Sequence, residues 1–86
     1  MTTQNEPQTI ILKALGWILE DKDRAERFLE LTGLEPSSIR NGLLDPSFLS
    51  AVIEFLSNYE PDLLGASKAI EVAPEELINA GKDVQL

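Results

Sequence analysis

Five prolines, Pro7, Pro36, Pro46, Pro61 and Pro74, limit how this chain can fold more than any other feature. A proline inside a helix removes a backbone donor and clashes with the preceding turn, and inside a central strand it breaks the ladder. Each proline therefore marks a boundary. In the first turn of a helix the missing N–H costs nothing, and the fixed φ already suits the helix. Four of the five follow an acidic residue, Glu6, Glu35, Asp45 or Glu60, and a carboxylate there complements the positive helix end. Gly33, Gly42 and Gly81 fall where helices should stop, and are read as left-handed C-terminal residues. No alternating strand run competes with this reading.

The punctuation predicts helices over about 7–20, 24–32, 36–41, 46–58, 61–70 and 74–80. The first carries Ile10, Ile11, Ala14, Leu15 and Ile18 on one face. In the second, Asp23 and Glu26 read as a capping box, with Phe28, Leu29 and Ala25 turned inward. Ile39 anchors the third. The fourth sets Phe48, Leu49, Val52, Ile53, Phe55 and Leu56 against Ser47, Ser50, Glu54 and Ser57 on the opposite face. The expected fold is all-α: one domain over residues 1–86, a compact bundle of about six short helices with short antiparallel connections.

The halves 7–42 and 45–80 match at an offset of 38, the separation of Pro36 from Pro74. The shift carries Ile10, Ile11, Ala14, Leu15, Trp17 and Ile18 onto Phe48, Leu49, Val52, Ile53, Phe55 and Leu56. Any amphipathic helical chain can be slid into register. The agreement of the prolines nevertheless favours two similar three-helix units, neither able to bury its apolar face alone.

Chemistry is excluded more readily than it is assigned. The chain has no histidine and no cysteine, which removes the commonest general base, thiolate ligands, disulfides and cysteine nucleophiles. Ser37, Ser38, Ser47, Ser50, Ser57 and Ser67 have no base to activate them. Asp21-Lys22-Asp23 opens like a calcium loop, but Ala25 and Glu26 follow where a ligand and the obligatory glycine belong, so the segment reads as a solvated turn and cap. Glu75 and Glu76 complement a helix dipole. The expectation is a non-enzyme with no catalytic residue, cofactor or metal. A net charge of −8 opposes nucleic acid and anionic membrane, since both require a basic face. The polar start Met1–Pro7 does not resemble a signal peptide, and so small a chain without disulfides is expected in the cytoplasm.

The halves differ informatively. Leu12 and Leu19 align with Ser50 and Ser57, and Gly16 aligns with Glu54. The first helix thus carries an extra stripe, Leu12–Gly16–Leu19, spaced i, i+4, i+7, with Trp17 at the edge of its apolar face. A glycine inside a helix costs about 1 kcal/mol relative to alanine, which suggests that something packs closely against it. The stripe either buries against the fifth or sixth helix, or forms an interface to a second copy or a different protein. Leu12, Gly16, Trp17 and Leu19 are therefore the candidate interface. Trp17 and Tyr59 are the candidate aromatic anchors. Lys13, Lys68 and the cluster Lys22, Arg24 and Arg27 are interleaved with acids and read as ordinary surface. Two functions remain, a protein-interaction module with an unknown partner or self-association, and a carrier holding a small apolar ligand between helices.

Three segments carry a resemblance: Ala14-Leu15-Gly16-Trp17, the corner from Arg27 through Phe28-Leu29 and Thr32-Gly33-Leu34 to Pro36, and Asp45-Pro46-Ser47-Phe48-Leu49 running into Ser50-Ala51-Val52. They resemble a family of small alphaproteobacterial proteins of unknown function, over nearly the whole chain. The resemblance implies an all-helical bacterial cytoplasmic protein, and it transfers no activity and no catalytic residue. Glu75–Leu86 is less typical of that family.

Overall fold

Every proline lies in the first turn of a helix. The computed structural model describes residues 6–42 and 45–84. Over these the chain forms α1 (Pro7–Glu20), α2 (Lys22–Thr32), α3 (Pro36–Gly42), α4 (Pro46–Ser57), α5 (Glu60–Ile70) and α6 (Pro74–Asp83), with no strand among the described residues. Met1–Asn5, and the last two residues of the segment Glu75–Leu86, lie outside them.

Burial follows the apolar stripes. Helix α1 buries Ile10, Ile11, Ala14, Leu15 and Ile18, and α4 buries Phe48, Leu49, Val52, Ile53, Phe55 and Leu56. The two helices form the centre, and each also packs against α2, α5 and α6. Phe28, fully buried, enters from α2 and meets Phe48 and Phe55 edge-on, at centroid distances of 6.3 and 5.3 Å. Edge-to-face pairs are favourable because the positive ring edge meets the negative ring face. Leu77 and Ala80 close the core from α6.

The expectation of about six bundled helices is corrected here. Five helices of ten or more residues pack against one another, while α3 is a seven-residue link that packs comparably with none of them. Two turns anchored by a half-buried Ile39 offer too little apolar surface to form another layer.

The caps also differ from expectation. Asp21, not Asp23, caps α2, accepting hydrogen bonds from the backbone N–H of Asp23 (2.8 Å) and Arg24 (3.4 Å), so α2 starts at Lys22 with one residue between it and α1. Asp45 caps α4 by accepting from Ser47 N–H, whereas the Glu6 side chain makes no such bond. At α6, Glu76 reaches back to accept from Ala73 N–H at 3.2 Å, half of a capping box whose other half alanine cannot supply.

Gly33 ends α2 in the left-handed region at φ 72°. Gly42 ends α3 without that conformation. Gly81 ends nothing. It is buried inside α6 where the backbone presses on α4, and a Cβ there would lie 2.9 Å from Ile53 Cβ and Cγ2. The left-handed residue that ends α5 is Glu71, at φ 60°, and Val72 N–H donates back to the Ser67 carbonyl across the turn. The buried Ser67 hydroxyl donates to Val72 O at 2.5 Å, clamping the same corner.

Candidate docking site

Trp17 is positioned from three sides. Its backbone belongs to α1, one turn before the helix ends. The indole presses on α5 at Gly65, where a Cβ would lie 2.8 Å from Cζ2 and 3.0 Å from Cη2. Glycine is what lets the ring lie this close to the α5 backbone. The Arg24 guanidinium stacks over the ring from α2, 3.7 Å from the ring centroid. Its Nη2 donates to the Trp17 carbonyl at 2.6 Å, and Nη1 reaches Asp21 Oδ2 at 3.4 Å. That carbonyl is among the last four of α1, which have no partner within the helix, so Arg24 satisfies it and complements the negative helix end. Asp21 thus caps α2 and holds Arg24, and Arg24 holds Trp17. The ring remains half-buried at the rim of the core.

Beside it lies an open groove of about 490 Å³ between α1 and α5, floored by Gly16, Trp17, Ala69 and Ile70 and rimmed by Lys13, Glu20 and Glu71. Of the four candidate interface residues, the structure brings Gly16 and Trp17 into this groove. Leu12 and Leu19 lie outside its lining; Leu12 is half-buried against the core and Leu19 is 41% exposed. The alternative in which the chain's own fifth or sixth helix packs closely on Gly16 is corrected. Gly16 is exposed, and a Cβ there would meet nothing within 4 Å among the described residues. The close-approach glycines are Gly65 and Gly81, on the helices facing α1 and α4.

Arg24 and Arg27, expected as ordinary surface, have specific partners. Arg27 Nη2 lies 2.9 Å from Asp62 Oδ2, and its guanidinium is 5.6 Å from the Phe55 ring centroid and 5.4 Å from that of Tyr59. Oδ2 accepts no well-aligned hydrogen bond, so charge holds the contact. Asp62 is buried on α5 one turn before the buried Ala66. A carboxylate at that spacing was the readable sign of a paired charge, because acidic side chains are almost never buried without a partner. The Arg24–Trp17 stack spans seven residues around the α1–α2 corner, and no periodicity announces it. Tyr59 is 51% exposed and lies under Arg27 rather than in the groove. Among the described residues no three acidic side chains gather closely enough to hold a metal, and no helix is long and apolar enough to cross a membrane.

A family model described as a protein of unknown function (DUF3572) matches residues 4–85. No curated protein and no solved structure matches the chain.

Proposed function

The chain belongs to the DUF3572 family, whose description names no activity, and from that premise we infer that it is a non-catalytic module that docks another protein on the α1–α5 face. Gly16 carries the reading. A glycine in mid-helix lowers stability by about 1 kcal/mol relative to alanine, and nothing among the described residues touches the space a Cβ would fill. That cost has no return among the described residues, and it does have one if a second backbone approaches there. The neighbouring Trp17 is already locked by Arg24 and Gly65, so a partner need not order it. The groove is open and charged at its rim, which leaves much of a small apolar molecule in water and favours a protein over a carried ligand.

Gly16→Ala should therefore stabilise the isolated chain by about 1 kcal/mol in urea melts. No gain would mean that glycine is needed for folding, and the argument from an unrepaid cost would fail. The docking itself is tested in the cell with a photoreactive benzophenone side chain replacing Leu19, with replacement of Glu75 on α6 as control. Adducts from position 19 beyond those from position 75 are expected; equal yields would overturn the reading.

A further inference from the structure

The geometry points to a second copy of this chain as the occupant, with the two α1 helices packed antiparallel across Gly16. This rests on the reading of α1 as a docking face and names the partner. The buried residues Ile10, Ile11, Ala14, Leu15 and Ile18 define the core side of α1. At about 100° per residue, Gly16 falls on the side directly away from them. Leu12 and Leu19 then flank Gly16 along one edge, and Lys13 and Glu20 along the other. Along the axis, Leu12 lies about 6 Å before Gly16 and Leu19 about 4.5 Å beyond it; Lys13 lies about 4.5 Å before and Glu20 about 6 Å beyond.

A two-fold axis through the Gly16 contact reverses the axial order and preserves the edges. Leu12 of one copy then faces Leu19 of the other, and Lys13 faces Glu20, each within about 1.5 Å of alignment. Every pair occurs twice, as an isologous interface requires. Both charged residues are exposed, and neither appears in the ion pairs of the described residues, Arg24–Asp21 and Arg27–Asp62. The one glycine of α1 lies at the symmetry point, where two backbones would approach most closely. The edge charges are opposite and symmetrically placed about it, so the face complements itself.

Sedimentation equilibrium at about 150 mM salt, up to about 1 mM chain, tests this. The wild type should run as a monomer–dimer equilibrium. Lys13→Glu brings Glu against Glu20 twice, and Glu20→Lys brings Lys against Lys13 twice; each alone should weaken association at least tenfold. An equimolar mixture of the two variants restores both opposite-charge pairs and should associate as the wild type does. Circular dichroism confirms that these surface variants stay folded. A wild type that remains monomeric throughout, a dimer indifferent to both reversals, or a mixture that fails to re-associate would each overturn the inference. Photo-adducts from position 19 only to other proteins would also overturn it while leaving the docking face in place.

Discussion

Trp17 is the single tryptophan, so its fluorescence reports the docking face alone. At two glycines an added Cβ would meet a large side chain at nearly the same distance, and the alanine variants should behave differently. At Gly65 the obstacle is the far end of a half-exposed ring, which can swing out. Gly65→Ala should shift Trp17 emission to longer wavelength as the ring leaves Arg24 for water. Stability should change by less than about 1 kcal/mol, because the gain in helix propensity offsets the lost packing. At Gly81 the obstacle is Ile53 Cβ and Cγ2, fixed close to the α4 backbone. Gly81→Ala should cost about 1–2 kcal/mol in a urea melt, with emission unchanged. Equal behaviour of the two would contradict the packing described. The Arg27–Asp62 pair is asymmetric in the same instructive way, with side-chain exposures of 40% and 9%. Arg27→Ala strands a buried carboxylate and should cost about 2 kcal/mol, whereas Asp62→Ala leaves an arginine that water can solvate and should cost less than about 1 kcal/mol. Thermal melts that reverse this order would remove the ion pair from the account.

At the scale of elements, what was legible followed from residues with one physical role. Proline fixes φ and lacks a donor, so Pro7, Pro46 and Pro74 placed the starts of α1, α4 and α6, and the apolar stripes of α1 and α4 named the buried residues. Where two residues could serve equally, the sequence was ambiguous. Asp21 and Asp23 are both competent caps, and the structure uses the one that brings Arg24 within reach of Trp17. Gly81 could end a helix or admit a neighbouring one, and only tertiary packing decides. In the groove, Gly16 and Trp17 are the residues the sequence had singled out on α1, while Ala69, Ile70 and Glu71 were not readable, because they reach it through the packing of α5. The end of α5 falls at residue 70 as expected, although no glycine marks it. Glu71 takes up a left-handed conformation that costs a residue with a Cβ about 1–2 kcal/mol. Glu71→Gly should therefore stabilise the fold by about 1 kcal/mol without moving α5, read as a higher melting temperature with an unchanged circular dichroism spectrum. A loss of stability would show that the Glu71 side chain makes a contact worth more than the strain.

For the molecule as a whole, shape and charge oppose each other. The radius of gyration, 11.7 Å, is close to the roughly 12 Å expected of a folded domain this long, and the longest dimension is 34 Å. Eight surplus negative charges are confined in that volume. At about 10 mM salt the screening length is about 30 Å, so nearly all of them repel one another; at about 150 mM it falls to about 8 Å. Unfolding separates the charges, so repulsion at low salt favours the unfolded chain. The attractive pairs respond less. Arg27 meets Asp62 at a buried site that ions screen poorly, and Arg24 lies against Trp17 with only a fifth of its side chain exposed. Raising sodium chloride from about 10 to 150 mM should therefore raise the melting temperature, by about 4–8 °C for each kcal/mol of repulsion removed. Measurement at micromolar chain concentration keeps association from contributing, since a dimer would add stability by mass action. A melting temperature that is flat or falls with salt would mean that local attractions outweigh the surplus charge. The same repulsion acts between two copies brought face to face, so association at Gly16 should strengthen over the same salt range even though the Lys13–Glu20 pairs weaken.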